Sequence, residues 1–276
     1  MSNTVWNILW YVIMGIGVIG MIWSVKSQNR TANAKLYAII CLVVVLISTT
    51  MILWRTLTGF DPEQERAIAN NNQFEKAKLS QIAEFVNKNY AGKDIVILVR
   101  KDMIPTESNS DYVRIDPVKE LTGMLKGVTV KQTVVIEPPK GTEEMPEIDV
   151  SSNPEIYNKM FLECKSLSPA AIIDLAGLPM GENQALVIWK WDSKKDPKII
   201  LPEIGEFGIS FGPADVLNGI VDAVIVTRKE HKFNFMEDEA PKDLKEAFDT
   251  LYVLVTKDNV KDLVKNNVIT VQKVGN

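Results

Sequence analysis

The sequence predicts an α/β protein in which two N-terminal transmembrane helices precede a three-layer, mainly parallel, Rossmann-like sheet domain. Two observations predict the helices: a pair of long uncharged apolar runs, and the absence of any Asp or Glu before residue 61. A third observation predicts the sheet, because from residue 93 onward short apolar runs alternate with segments that begin with helix-capping residues. This alternation is typical of crossover units, which build parallel sheets covered by helices on both faces.

The apolar runs extend over residues 5–23 and 36–54. Each is close to the ~20 residues that an α-helix needs to cross a bilayer core of roughly 30 Å. The first run exceeds the ~7–15 apolar residues of a secretory signal and has no basic start. We therefore expect residues 1–55 to form a retained, membrane-spanning hairpin. Four tryptophans toward the ends of the runs are its predicted interfacial anchors: Trp6, Trp10, Trp23 and Trp54.

The connector between the two runs predicts the orientation. It contains Lys26, Arg30 and Lys35 and no acidic residue, and basic loops stay in the cytoplasm. The sequence thus predicts an integral protein of a bacterial inner membrane, with its C-terminal domain on the periplasmic side.

Three glycines in the first run form the pattern G-x-G-x-x-G of dinucleotide-binding loops: Gly15, Gly17 and Gly20. A nucleotide loop requires a strand before the pattern and a helix that opens at it. These glycines lie in the middle of a predicted membrane span instead. We expect them to let the second helix approach closely.

Residues 56–92 are predicted to form one amphipathic helix after the hairpin. Its apolar side chains recur at helical spacing in its second half, while the stretch around Asn70–Asn72 is polar almost all round. The polar part suggests a stalk, or a surface for a partner helix. The apolar positions are Leu79, Ile82, Phe85, Val86 and Tyr90.

The soluble domain is predicted to occupy residues 93–276. Its predicted strands are Ile95–Val99, Val128–Ile136, Ala170–Leu175, Ala185–Trp191, Lys198–Leu201, Asp222–Thr227, Leu251–Val255 and an edge strand at Val268–Val271. The run Gly219–Val226 resembles a strand in one lobe of the periplasmic sugar-binding proteins. Rossmann-like strands in general share this pattern, so it supports the fold class and assigns no family.

The charge of the domain argues against one class of partner. From Asp61 onward there are 35 acidic and 27 basic residues, a net charge of −8. Nucleic-acid binding requires basic side chains that displace counterions from phosphates, so we expect no nucleic-acid partner. We also expect no cofactor and no metal, because the one histidine, His231, cannot form a multi-histidine zinc site. Cys164 is predicted to be a small buried residue.

The strongest candidate site is the end of the third predicted strand. Ligands of open parallel sheets bind beyond the carboxyl ends of the strands, and Asp174 lies there, followed by Gly177 and Glu182. The carboxylates are candidates for binding a ligand or for acting as a general base. The alternative is that Asp174 caps a turn, as Asp does routinely at strand ends.

A second candidate is the glycine loop over residues 205–213, with Gly208 and Gly212. It precedes a predicted helix, whose N-terminus would attract an anion. The loop lacks the Lys and Ser/Thr of a phosphate-binding loop, and its own Glu206 would repel phosphate. A structural turn is the alternative.

These observations lead to three functional hypotheses. The first is a non-catalytic scaffold or interaction subunit of a cell-envelope assembly, with the lipid bilayer and a protein partner, or further copies of itself, as partners. The second is a small-ligand-binding or sensing domain that uses Asp174 and the glycine loop. The third is a hydrolytic enzyme that uses Asp174 and Glu182.

Overall fold

The computed structural model describes residues 3–27, 33–58, 62–106, 115–137, 153–179, 185–202 and 219–269. Two apolar helices come first, and a mixed α/β arrangement with a mostly parallel six-stranded sheet follows. The predicted fold class is thereby confirmed. The chain divides into two compact units: residues 1–69 with 235–237, and residues 70–234 with 238–276.

The first unit contains the helices α1 (Asn3–Lys26) and α2 (Ala34–Thr58). By length and composition both can cross a membrane. Core helices of soluble proteins can be equally apolar, but they are mostly buried, whereas 11% and 6% of these two spans are buried. Of the predicted anchors, Trp23 and Trp54 are exposed and Trp10 is half-buried. The side chain of Trp6 lies outside the described part.

Two of the three N-terminal glycines lie where α1 contacts α2. A Cβ on Gly17 would lie 2.8 Å from Cγ2 of Val45, and one on Gly20 would lie 2.6 Å from Sγ of Cys41. Both distances are too short for a real side chain. A Cβ on Gly15 would have no atom within 4 Å. Gly17 and Gly20 therefore permit the close approach of the two helices, and Gly15 does not take part.

The helix α3 (Pro62–Asn89) enters the second unit at Asn70. From there its apolar face is buried, with Phe74, Ile82 and Val86 fully covered. The Tyr90 hydroxyl, one residue beyond the helix, donates a hydrogen bond of 2.7 Å to Oδ2 of Asp222. This part of α3 is therefore integral to the core of the α/β unit.

The polar residues of α3 near Asn70 have partners within the same unit. The Asn70 amide donates to the Asp238 carbonyl at 2.8 Å and accepts from the Ala240 amide at 2.8 Å. The Gln73 amide donates to the carbonyls of Pro241 and Lys242, both at 2.9 Å. The polar stretch that suggested a stalk or a partner surface thus contains side chains that hold the segment 238–242.

Five strands are parallel, in the order β2-β1-β3-β4-β5, and β6 pairs with β5 in the antiparallel direction. All five residues of the predicted first strand, Ile95–Val99, are fully buried, as expected for a strand covered on both faces. The strands are β1 (Asp94–Arg100), β2 (Thr129–Ile136), β3 (Ala171–Asp174), β4 (Lys198–Leu201), β5 (Val221–Thr227) and β6 (Tyr252–Thr256).

Helices cover both faces of the sheet. On one face α3 lies with α4 (Pro117–Met124) and α6 (Leu244–Leu251), and Lys76 of α3 forms an ion pair of 3.5 Å with Glu120 of α4. On the other face lie α5 (Pro154–Ser166) and α7 (Val260–Lys265), in one apolar cluster with Val96 and Leu98 of β1. These are the three predicted layers.

The predicted strand Ala185–Trp191 is wrong. Residues 187–190 form a 3₁₀ helix. Burial alternates along this segment, since Leu186 and Ile188 are fully buried, and this alternation imitates a strand. The side chain of Asn158 binds its backbone, accepting from the Val187 amide at 2.6 Å and donating to the Ala185 carbonyl at 3.1 Å. Two i to i+3 bonds complete the segment, from the Trp189 amide to the Leu186 carbonyl and from the Trp191 amide to the Ile188 carbonyl.

The predicted edge strand Val268–Val271 is not formed in its described half, because residues 268 and 269 are bends. Among the strands that the structure describes, β6 forms the edge of the sheet on this side.

Candidate functional site

The strand order creates one switch point in the sheet. From β1 the chain crosses to β2 on one side, and β3 then returns to the other side of β1. The chain therefore leaves β1 and β3 toward opposite sides, which is the topology that creates a crevice beyond the carboxyl ends of such strands. In doubly wound sheets with the order 2-1-3-4-5, ligands bind at this position.

Asp174 is the last residue of β3 and lies at this switch point. It is paired in register with Leu98 of β1. Beyond it the chain turns back, and the amides of Leu175 and Ala176 donate to the Leu98 carbonyl at 2.8 and 3.2 Å. Gly177 then adopts a φ of +72°, which a residue with a Cβ adopts only at a steric cost. The turn therefore fixes Asp174 on a rigid strand end.

The carboxylate of Asp174 is fully buried. Neither of its oxygens has a hydrogen-bond partner within the described part of the chain. The amides of Ala176 and Gly177 face the carboxylate and stabilise its negative charge, as does Arg100, but burial outweighs them and raises the pKa of Asp174 to about 7. The amides of Ala176 and Gly177 are those that a turn cap would use, but an ordinary exposed cap has a lowered pKa, whereas burial raises the pKa of Asp174.

Arg100, the last residue of β1, lies beside Asp174. Its guanidinium binds Asp102 at two points, with Nε–Oδ1 at 3.1 Å and Nη2–Oδ2 at 2.8 Å. Next to it, Nζ of Lys101 forms an ion pair of 3.0 Å with Glu137, directly after β2. The cations at this end of the sheet are thus matched by carboxylates other than Asp174.

The helix α5 covers Asp174. Burial and then the charge of Asp174 raise the pKa of Tyr157, whereas Arg100 lowers it. Burial and then Asp174 also raise the pKa of Cys164, to about 12. The hydroxyl and the thiol therefore stay neutral at physiological pH, and Cys164 is not a reactive nucleophile.

A second buried polar group lies under α5. Nε1 of Trp191 has no hydrogen-bond partner among the described residues. The indole ring packs edge-on against Phe161, with centroids 6.2 Å apart, and Nζ of Lys165 lies 5.1 Å from its centroid. The buried face of α5 is formed by Tyr157, Phe161 and Cys164. It thus extends from the unpaired carboxylate of Asp174 to the unpaired indole N–H of Trp191.

The structure brings two of the predicted site residues together, because the amide of Gly177 faces the carboxylate of Asp174. Glu182, Gly208 and Gly212 lie outside the described residues. His231 is exposed. The described residues contain no cluster of three or more His, Cys, Asp or Glu side chains that would hold a metal ion.

The sequence analysis missed Arg100 and Tyr157. Arg100 directly follows the apolar run 95–99, so the strand-end rule that selected Asp174 would also have selected it. Tyr157 had no such signal, because its spacing with Phe161 and Cys164 is that of any buried helix face.

Comparisons with known proteins do not assign the chain to a family. No family model and no curated protein matches the chain. Among solved structures, the chain is similar to the Caulobacter myo-inositol binding protein bound to myo-inositol, with 15% sequence identity and a TM-score of 0.37. The match covers 68% of this chain and 60% of that protein, so the chain spans less than two thirds of its length. At this level of similarity the match indicates neither a shared family nor a shared ligand.

Proposed function

We propose that the chain is a membrane-anchored ligand-binding protein, whose α/β domain binds a small polar molecule between the carboxyl ends of β1 and β3. The observation that carries this proposal is the buried, unpaired carboxylate of Asp174 at the switch point of the sheet. Leaving a buried polar group unpaired costs about 1–3 kcal/mol. A ligand that supplies the missing hydrogen bonds recovers this free energy as binding affinity.

The described neighbours of Asp174 fit binding, and Glu182, the second carboxylate of the hydrolytic hypothesis, lies outside the described residues. Hydrolysis by a carboxylate requires a second group that activates or protonates the reacting atoms. Tyr157 and Cys164 are the neighbours that burial keeps neutral, and Arg100 is held by Asp102. Because Asp174 is fully covered, a ligand reaches it only after side chains such as Tyr157 rearrange.

The anchor and its orientation belong to the same proposal. Two helices that are long and apolar enough to cross a membrane support the anchor, and the basic connector predicts that the α/β domain faces the periplasm. A reporter enzyme that is active only outside the cytoplasm, fused after Asn276, is expected to be active. A reporter active only in the cytoplasm would contradict the orientation and leave the ligand site unaffected.

A scaffold or interaction subunit is the second candidate. The observation that favours it is the hairpin, whose helices expose many large apolar side chains outside their mutual contact. Lipid alone can cover this surface, but a membrane partner or a second copy would also fit it. Cross-linking in the native membrane, followed by mass determination, separates these cases: a stoichiometric protein partner supports the scaffold.

The ligand-binding proposal is tested with the full chain in detergent. A library of small polar molecules is screened by thermal shift against the native protein, Asp174→Asn and Asp222→Asn. We expect at least one molecule to stabilise the native protein and Asp222→Asn, which is altered at the opposite end of the sheet, but not Asp174→Asn. Molecules that stabilise all three proteins equally, or none, would contradict the proposal.

A further inference from the structure

We propose that the ligand of this site is a cation, specifically a small molecule with a primary ammonium or guanidinium group that pairs with Asp174. This inference rests on the proposed ligand-binding function and specifies the class of ligand. It follows from the distribution of charge around the switch point, from the covering of Asp174 by aromatic side chains, and from the unpaired state of its carboxylate.

The first step is the balance of charge around the switch point. Arg100 is neutralised by Asp102 through two hydrogen bonds, and Lys101 is neutralised by Glu137. Both pairs are largely exposed at their acidic ends, where Asp102 and Glu137 have side-chain exposures of 64% and 67%. Among the described residues at this end of the sheet, Asp174 is the charge that no hydrogen bond pairs, so it is the position at which a ligand cation would find a partner.

The second step is the cost of the unpaired charge. Buried charges in proteins are paired, and an unpaired buried carboxylate takes up a proton instead. Asp174 behaves in this way, since burial raises its pKa to about 7. A ligand ammonium group replaces that proton and donates charge-assisted hydrogen bonds, which are roughly twice as strong as neutral ones. An anionic ligand would bring a second negative charge into the same buried place.

The third step concerns the walls of the site. Tyr157 is near enough to Asp174 for the two groups to interact electrostatically, and Phe161 follows it on the same helix face, with ring centroids 6.5 Å apart. Aromatic faces attract ammonium and guanidinium groups, and the attraction increases when water is excluded. The ring faces themselves are electron-rich and attract no anion, so they and the carboxylate favour the same kind of ligand.

The fourth step predicts a link between binding and protons. If the cation binds only ionised Asp174, the observed affinity follows the ionised fraction of this one group. With a pKa of about 7, the affinity is expected to rise about tenfold between pH 6 and pH 8 and then to level off. The other groups that contact Asp174 electrostatically do not change charge in this range, because Arg100 stays protonated, and burial keeps Tyr157 and Cys164 neutral.

The test uses three matched probes with the full chain in detergent: butylammonium, butanol and butyrate. Calorimetry at pH 8 is expected to give the strongest binding for butylammonium, and Asp174→Asn is expected to weaken it about tenfold to hundredfold. The second expected result is that butylammonium binds about tenfold more weakly at pH 6 than at pH 8. A second variant, Lys101→Gln, is the matched control, because its exposed pair with Glu137 should leave the pKa of Asp174 and the binding of butylammonium unchanged.

The outcomes separate the two proposals. Asp174-dependent binding of butanol or butyrate that exceeds butylammonium binding would overturn the cationic ligand and leave the proposed function standing. Absence of Asp174-dependent binding for all three probes, together with an empty library screen, would overturn both. The comparison among the three probes on the native protein holds even if Asp174→Asn does not fold.

Discussion

The Arg100 guanidinium lies beside the Asp174 carboxylate at the ends of two neighbouring parallel strands, yet it donates its hydrogen bonds to Asp102. Arg100 thus lowers the pKa of Asp174 through space without pairing with it. This arrangement leaves a buried acid that is neither satisfied nor neutralised by the described residues. The predictions about Asp174 follow from this relationship.

Replacing Asp174 with Asn is expected to stabilise the fold at alkaline pH. In the unfolded chain the pKa of Asp is about 3.9, whereas in the folded chain burial raises it to about 7. The unfolded chain therefore ionises first, and the stability contributed by neutral Asp174 is present below about pH 4 and is lost as the pH rises to about 7. Denaturant unfolding should show Asp174→Asn to be more stable by on the order of 1–3 kcal/mol at pH 8. A larger advantage at pH 5 than at pH 8 would contradict this.

Removing Arg100 is expected to raise the pKa of Asp174 further. The guanidinium favours the ionised carboxylate, and losing a nearby opposite charge shifts a carboxyl pKa by about 1–3 units. In Arg100→Gln the loss of stability with rising pH should therefore extend above pH 7. The measurement is the free energy of unfolding as a function of pH. The matched control is Lys101→Gln, whose exposed pair with Glu137 should leave the profile in place.

Removing the Tyr90 hydroxyl is expected to loosen the attachment of the C-terminal end of α3 to β5. Tyr90 is almost fully buried and donates to Asp222 at 2.7 Å. Hydrogen bonds to charged groups contribute about 1.5–3 kcal/mol, and Tyr90→Phe should lower the free energy of unfolding by this amount. A double-mutant cycle with Asp222→Asn measures the coupling. Additive losses in the two single variants would show that this bond contributes nothing.

Gly177 is expected to be required for its backbone conformation and not for space. Its φ is +72°, and a Cβ there would have no atom within 4 Å. The left-handed conformation costs an L-residue roughly 1–2 kcal/mol, so Gly177→Ala should be destabilised by that amount. Gly177→Asn should recover part of the loss, because Asn tolerates this conformation. Equal stability of the two variants would argue for a different role.

The packing of α1 on α2 is expected to allow a disulfide across the hairpin. The Cβ of a residue at Gly20 would lie 2.6 Å from Sγ of Cys41, so after a small shift of the side chains Gly20→Cys should oxidise with Cys41. The control Gly15→Cys should not, because nothing lies near its Cβ. Thiol labelling after mild oxidation distinguishes them. Oxidation of both variants to the same extent would contradict the packing.

Much of the fold could be predicted from the sequence, because burial on both faces leaves a clear pattern. The continuous apolar run Ile95–Val99 indicated the central strand, and Asp116 before Pro117 indicated a capped helix that the structure contains. The prediction failed at Ala185–Trp191, because alternating burial does not distinguish a strand from a 3₁₀ segment. There the Asn158 side chain satisfies part of the backbone that a neighbouring strand would otherwise bind.

The candidate site was predictable only in part. Asp174 was found because a polar residue after a buried strand is visible in the chain. The lack of hydrogen-bond partners for its carboxylate was not visible in the sequence. It depends on Arg100 donating to Asp102 instead, and on the burial of the carboxylate near Tyr157. Arg100 and Asp102 are neighbours in the sequence, but the pairing of Leu98 with Asp174 that brings the carboxylate to β1 joins distant parts of the chain.

The central claim, that a small molecule binds at Asp174, is tested most directly by identifying what the chain carries from its native membrane. The native protein, Asp174→Asn and Asp222→Asn are purified in mild detergent, and the small molecules released on denaturation are compared by mass spectrometry. The account predicts a molecule that is enriched with the native protein and Asp222→Asn and absent from Asp174→Asn. Identical profiles for all three proteins would contradict it.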